Sequence, residues 1–310
     1  MKVSCVGSGT IGCSWALLFA LRGCEVNLYD VNPDVLVRSQ TYLRTWLGLL
    51  KRKERIKTKQ LEQTTGKIKS TSGLRDAVKD VDYVQESAPE DLELKKQVFR
   101  EVSSLTKPST IIASSTSGLS MTEIQKAALR PERCVTVHPI NPPHLIPLIE
   151  IVPGKETSED TVETVYNFMS SLRKVPIIVR KEVPGFVFNR LSAALWREAL
   201  DLLDKDVATV EDIDKVVYAG MGLRWAIMGP FLTYHLGGGE EGLQHFIDHL
   251  GPAFSAWWNS MEPWVSIPPS AVKKAVEGVK QMTVVKTKTY DELAKWRDEK
   301  LMELLELLFG

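Results

Sequence analysis

Residues Val6 to Gly12 read V-G-S-G-T-I-G, between a short apolar run, Val3 to Val6, and an amphipathic stretch, Ile11 to Leu21. A second apolar run, Val26 to Tyr29, follows and ends in Asp30. Strand, glycine turn, helix, strand and acid in that order make the layout of a dinucleotide-binding unit. Each residue type has a physical job there. Gly7 allows the tight turn out of the strand, and Gly9 lacks the Cβ that would hold a pyrophosphate away from the backbone. Gly12 lets the helix pack closely on the strands. With Ser8, Thr10 and Ile11 these glycines form the expected phosphate loop, because free N–H groups and the dipole at a helix start favour a diphosphate. Asp30 is placed to accept from ribose hydroxyls and would repel a 2′-phosphate, so NAD rather than NADP is the expected cofactor.

The 310 residues suit two domains. Strand-like and helix-like segments alternate as far as about residue 180. Strands are expected at Val3–Val6, Glu25–Tyr29, Asp82–Gln85, Thr110–Ser114, Cys134–His138, Leu148–Val152 and Val175–Val179. That alternation implies an α/β fold, a doubly wound, mostly parallel sheet of Rossmann type over residues 1–183. Pro33 to about Ile56 reads as one long basic helix, and Ser120 with Glu123 has the pattern of a capping box. After R-K-E-V-P-G, at 180–185, only helical patterns remain: Phe186 to Leu203, with Pro184 suiting the helix start, then Thr209 to Tyr218, Glu240 to His249, Ala271 to Val279 and Tyr290 to Phe309. Residues 184–310 are therefore expected to form an all-helical domain. It is rich in Trp, Leu and Phe, which points to burial against a twin and a homodimer.

Charge excludes several partners. Lys plus Arg and Asp plus Glu number 39 each, so there is no electrostatic footprint for nucleic acid or an anionic membrane. No apolar run approaches the ~20 residues of a transmembrane helix. Met1 leads straight into the first strand, which reads as the absence of a signal peptide and a cytoplasmic protein. Cys5, Cys13, Cys24 and Cys134 show no CxxC spacing and are expected as reduced core thiols. His245 and His249 stand one helical turn apart in H-F-I-D-H. That lacks the H-E-x-x-H arrangement and a third ligand, so no metal is expected and a solvated face is preferred.

The chemistry-bearing residues cluster at predicted strand ends, where open parallel sheets bind ligands. His138 ends a strand in T-V-H-P-I-N-P-P, and Glu150 follows in L-I-E-I-V. A histidine there can take a hydroxyl proton, with a carboxylate orienting the ring; a buried histidine satisfied by backbone is the plain alternative. Ser114 to Gly118, S-S-T-S-G, ends another strand and either caps a turn or offers a hydroxyl to a substrate oxygen. Asn189, in P-G-F-V-F-N-R, either ties the domains together or reaches into a cleft between them.

These motifs, in this order, resemble the 3-hydroxyacyl-CoA dehydrogenase superfamily over nearly the whole chain. The resemblance implies His138 as catalytic base, Glu150 as its orienting partner, and Ser117 and Asn189 as groups on the substrate oxygen. It also implies cofactor contacts at Glu90 and Lys95, in P-E-D-L-E-L-K, at Ser117, and at Asn141 in the H-x-x-N-P motif. Within the superfamily, P-E-D-L-E-L-K-K and G-L-R-W-A resemble the lambda-crystallin or L-gulonate 3-dehydrogenase branch. There Arg224 offers a bidentate clamp for a free carboxylate, which a thioester lacks; an ordinary surface arginine is the alternative. In a gap-free register, Trp46 stands where the acyl-CoA enzymes carry a polar contact to CoA. G-G-G-E-E-G-L-Q-H-F and G-P-A-F-S-A-W-W resemble carnitine dehydrogenase, whose quaternary ammonium substrate suits aromatic faces such as Trp225, Trp257, Trp258 and Trp264. Those tryptophans equally suit a core or an interface.

The expectation from sequence is an NAD-dependent L-3-hydroxyacid dehydrogenase with a small free carboxylate as substrate, gulonate first. L-Carnitine and acyl-CoA are the alternatives. The non-enzyme alternative is a crystallin-like structural protein.

Overall fold

The computed structural model describes residues 1–309 and divides into two compact units, Met1–Arg190 and the residues from Leu191 on. The first unit holds one eight-stranded sheet: β1 Lys2–Val6, β2 Glu25–Tyr29, β3 Ile68–Thr71, β4 Tyr83–Glu86, β5 Ile111–Ser114, β6 Cys134–Pro139, β7 Leu148–Pro153 and β8 Val175–Ile178. Their order across the sheet is β3-β2-β1-β4-β5-β6-β7-β8. The chain reverses direction across the sheet after β3, the switch point at which open α/β sheets bind ligands. Neighbours run parallel except β6 and β7. A parallel pair needs a crossover of a dozen or more residues. The short link Ile140 to Pro147 allows only an antiparallel return.

Helices cover both faces, and the central strands are correspondingly apolar throughout. Val84, Phe99, Ile112, Met121 and Ile124 form part of one continuous core cluster. Side-chain caps start several helices. Asn32, Asp91 and Ser158 accept from the N–H groups of Asp34, Leu94 and Thr161. Each cap satisfies one of the orphan donors of a first helical turn.

Several local expectations are corrected. β3 escaped notice because I-K-S-T is half exposed and carries no apolar alternation. The long basic helix ends at Arg52, short of Ile56. Ser120 caps its helix, but the Glu123 carboxylate pairs with Lys126 at 2.6 Å, as an ordinary i, i+3 ion pair. Pro184 does not start a helix. Gly185 and Phe186 take left-handed backbone conformations, and the helix runs from Phe188 to Asp204. The first compact unit runs on through this turn to Arg190.

The second unit is entirely helical among the described residues. Its longest helices are Gly242–Ser260 and Tyr290–Phe309. The helix Val210–Lys215 passes into a π-helical stretch, Val216–Met221, and then Gly222–Ile227. No helix among the described residues is long and apolar enough to cross a membrane. All four cysteines are buried free thiols. Burial pushes the Cys13 and Cys134 thiols up to about 12, so they are inert.

Candidate active site

The glycine loop follows β1 and leads into the helix Thr10–Leu21, with Gly9 at the N-cap. Gly7 has φ +96, and a Cβ there would lie 2.6 Å from the Ser87 carbonyl oxygen. A Cβ on Gly12 would lie 1.8 Å from the Gly7 oxygen, so Gly12 admits the loop's own backbone rather than a neighbouring strand. Gly9 faces open space within 4 Å. A tight loop with one open glycine at a helix start fits a diphosphate. Asp30 is fixed beside it: Oδ2 accepts from the Ser8 N–H at 2.8 Å and Oδ1 from the Asn32 N–H at 3.0 Å. Lone-pair capacity remains on this carboxylate for ribose hydroxyls.

His138 and Glu150 are register partners across β6 and β7. The His138 Nδ1 lies 2.7 Å from Glu150 Oε2, and the two side chains are 7% and 0% exposed. The other carboxylate oxygen accepts from the N–H groups of Val187 and Phe188, each at 2.9 Å. Burial pushes the Glu150 carboxyl up, but the His138 ring and these two N–H groups outweigh it and hold the group below the usual value. An ionised Glu150 requires the proton on Nδ1 and leaves Nε2 as an acceptor.

A cavity of about 450 Å³ opens at these strand ends, lined by Ile11, Ser87, Ser117, His138, Asn141 and Asn189 among others. Ser117 follows β5. Its carbonyl accepts from the Asn189 side chain at 2.8 Å, so these two residues are positioned together, within the first unit. One amide hydrogen of Asn189 remains for a ligand. Glu90 closes the S-S-T-S turn by accepting from Thr116 Oγ1 at 2.6 Å and from the Ser117 N–H at 2.9 Å. Burial raises the Glu90 carboxyl, but Thr116, Ser117 and Lys95 together bring it below its ordinary value.

Lys95 is 1% exposed at the edge of this cavity. Its ammonium bonds Glu86 Oε1 at 2.8 Å and the Ala88 carbonyl at 3.1 Å, and lies 3.6 Å from Glu90. The sequence reading missed Glu86, the last residue of β4, which also accepts from Ser114 at 2.5 Å. Its only sequence signal is a carboxylate at the end of an apolar strand. Ser14 was missed as well. Its hydroxyl meets His144 Nδ1 at 2.7 Å and accepts from the His144 N–H at 2.8 Å, tying the loop after β6 to the first helix.

In the second unit Arg224 lies on Gly222–Ile227, exposed, with no side-chain partner among the described residues. Trp257 and Trp258 are 51% and 64% exposed and flank Phe254, with ring centroids at 4.8 and 5.8 Å. His245 and His249 are exposed, and His245 pairs with Glu241 at 3.2 Å.

Residues 2–183 match the sequence profile of the 3-hydroxyacyl-CoA dehydrogenase NAD-binding domain, and residues 185–268 that of its C-terminal domain. The chain is 38% identical over 310 residues to a protein named L-carnitine dehydrogenase from Oceanobacillus iheyensis, covering 99% of this chain and 98% of that one. It is 43% identical over 266 residues to the L-carnitine dehydrogenase of Streptomyces griseus, covering 84% and 77%. Among solved structures, an NAD+-dependent dismutase, 5-formyl-3-hydroxy-2-methylpyridine 4-carboxylic acid 5-dehydrogenase, matches with a TM-score of 0.79 and 29% identity, over 99% of this chain and 96% of that one. With both domains matched in sequence and the NAD loop formed as its chemistry requires, the chain belongs to the 3-hydroxyacyl-CoA dehydrogenase family, as an NAD-dependent oxidoreductase acting on a CH–OH group.

Proposed function

We propose that this protein oxidises the 3-hydroxyl of L-carnitine. The observation that carries the substrate is the end-to-end similarity to a protein of that name, 38% identity over 99% of the chain. It moves carnitine ahead of gulonate, which the sequence motifs alone had placed first. The His138–Glu150 pair at the cavity supports the reaction class.

NAD, when bound along Gly7 to Gly12 with Asp30 at its ribose, supplies the hydride acceptor. The chain's own residues handle the proton. Nε2 of His138 takes it from the substrate hydroxyl, and Glu150 balances the imidazolium that forms. The free Asn189 amide hydrogen donates to the reacting oxygen and holds its carbon in place; Ser117 Oγ, which here donates to Glu90 at 3.2 Å, turns its proton to the same oxygen when substrate binds. Glu90 and Lys95 act as positioning groups. Glu90 holds the Ser117 turn, and Lys95 holds Glu86 and the Ala88 carbonyl.

Arg224 is the proposed clamp for the carnitine carboxylate. Trp257 and Trp258 are the proposed aromatic faces for its trimethylammonium group. The exposed apolar side chains of the second unit, such as Ile227, Phe231 and Leu236, support a homodimer formed through that unit. Sedimentation as a monomer at micromolar concentration would remove that part of the proposal.

The deciding experiment measures NADH formation with L-carnitine, L-gulonate and L-3-hydroxybutyryl-CoA side by side. Carnitine is expected to give the highest kcat/KM. A higher value with either of the others refutes the substrate. Tight NADH binding with no turnover on any of them favours the crystallin-like role.

A further inference from the structure

From the cavity wall, where Ser87 and Ser115 line it, a chain of side-chain hydrogen bonds that the proposed mechanism does not use runs inward. The Ser115 hydroxyl has three neighbours: Trp15 Nε1 at 3.2 Å, Gln85 Nε2 at 2.8 Å and Ser87 Oγ at 2.8 Å. Indole N–H is only a donor. The Gln85 amide is fixed from two sides. Its nitrogen faces the Val137 carbonyl at 3.3 Å, and its oxygen faces the Tyr83 hydroxyl at 2.6 Å. Turning the amide over would set its oxygen against the Val137 oxygen. Trp15 and Gln85 are therefore both donors to Ser115 and occupy both of its lone pairs. With both lone pairs taken, the 2.8 Å contact with Ser87 must carry the Ser115 proton, and Ser87 is its one acceptor among the described residues.

Ser87 thus accepts from Ser115, and its own proton must go elsewhere. Its side chain has no other partner among the described residues, and it lines the cavity. We propose that Tyr83, Gln85, Trp15 and Ser115 impose one direction on this chain, making Ser87 a dedicated donor to an oxygen on the diphosphate or adjoining ribose of the bound dinucleotide. The placement names the acceptor. The Ser87 N–H bonds the Val6 carbonyl at 2.7 Å, its carbonyl oxygen lies 2.6 Å from where a Gly7 Cβ would be, and its Cβ lies 3.6 Å from where a Gly12 Cβ would be. Ser87 therefore abuts the phosphate loop. The anchor is rigid: Trp15 stacks on Phe19 at 5.2 Å, and Phe19 on Phe168 at 5.8 Å.

The inference rests on NAD as the cofactor and is independent of the substrate. The test is equilibrium binding of NADH and of ADP-ribose to the full chain, with thermal melting of each apo variant to confirm folding. ADP-ribose keeps the diphosphate and both riboses but lacks nicotinamide. Ser87→Ala is expected to weaken both ligands about five- to tenfold, the worth of one hydrogen bond to a polar or charged acceptor. Ser115→Ala should weaken both, and the double variant should be no worse than Ser87→Ala alone, since Ser115 acts through Ser87. Trp15→Phe keeps the stack but frees one lone pair on Ser115, so the Ser87–Ser115 bond can reverse; binding should weaken although Trp15 is outside the cavity lining. Wild-type affinity in Ser87→Ala, multiplicative losses in the double variant, or wild-type affinity in a folded Trp15→Phe would each overturn the proposal. A loss for NADH with none for ADP-ribose would overturn the assigned acceptor. Should Trp15→Phe fail to fold, the Ser87–Ser115 cycle still decides.

Discussion

His138 and Glu150 face each other across the antiparallel β6–β7 pair, with Nδ1 and Oε2 2.7 Å apart. The pairing follows from the shortness of the link between the strands. Direct cross-strand partners carry their side chains on the same face. Glu150 is then locked from behind by the Val187 and Phe188 N–H groups. The ring cannot rotate without breaking a buried charge-assisted bond. Its tautomer is set by the fold.

Glu150→Gln should therefore remove most turnover without unfolding the protein. The amide oxygen can keep the two backbone donors, but its NH2 then faces Nδ1. That forces the imidazole proton onto Nε2, the atom that must accept. Loss of general-base function costs about 10²–10⁴-fold in kcat. His138→Gln should match it, while NADH affinity stays close to wild type in both. Near wild-type kcat in either variant rules the proton route out.

The same carboxylate predicts an acid limb in stability. Its folded-state pKa is depressed below 4.5. Its contribution is thus complete above the unfolded value and is lost as pH falls through the folded one. Melting temperature against pH should fall less steeply below about pH 4.5 in Glu150→Gln than in wild type. Identical slopes would show that Glu150 titrates normally.

Lys174 should act in the opposite pH range. It is 7% exposed, donates to the Pro143 and Ile146 carbonyls, and has no acidic partner among the described residues. Burial, with repulsion from Arg22, lowers it from 10.5 to about 7. Between those values the unfolded chain binds the extra proton, so stability rises with pH from about 7 upward. One pH unit in that window is worth about 1.4 kcal/mol at most. Denaturant midpoints for wild type and Lys174→Met should diverge as pH is raised from 7 to 9, roughly, with wild type gaining. Parallel curves would show an ordinary lysine.

Asp30 is the proposed determinant of cofactor choice. Its carboxylate is already held by Ser8 and Asn32, so it would meet a ribose without reorganising. Asp30→Ala removes both the hydroxyl acceptor and the repulsion of a 2′-phosphate. The ratio of kcat/KM for NAD over NADP should fall by about one to two decades, the equivalent of one charge-assisted bond. Equal wild-type efficiency with both cofactors would show that Asp30 does not discriminate.

The glycine loop, Asp30 and the His138–Glu150 pair were legible because each is local or one short turn apart. Gly7 to Gly12 carry their geometry within one loop, and Glu150 follows His138 across a single strand reversal. What stayed hidden depends on strands distant in sequence. Glu86 meets Lys95 and Ser114 only once β4 and β5 are paired. The Trp15–Ser115 bond joins the first helix to the end of β5. β3 shows no alternation because it is a half-exposed edge strand. Pro184 suggested a helix start, but the left-handed Gly185–Phe186 turn delays it until Val187 and Phe188 can cap Glu150.

Substrate class is tested at Arg224. It is exposed and without a side-chain partner among the described residues, so replacing it should cost little stability. If it clamps a free carboxylate, Arg224→Met should raise KM for carnitine by about one to two decades, the worth of a charge-assisted pair. The carnitine methyl ester should lose far less. Lysine at this position should rescue only in part, because an ammonium cannot form the planar fork. The trimethylammonium end gives an independent reading. Trp257→Ala or Trp258→Ala should raise KM for carnitine about three- to fivefold, the scale of an exposed cation–π contact, and leave gulonate unchanged. Equal losses for acid and ester in Arg224→Met would remove the carboxylate clamp and return a thioester substrate to the front. Equal losses for carnitine and gulonate in the tryptophan variants would assign those rings to packing instead.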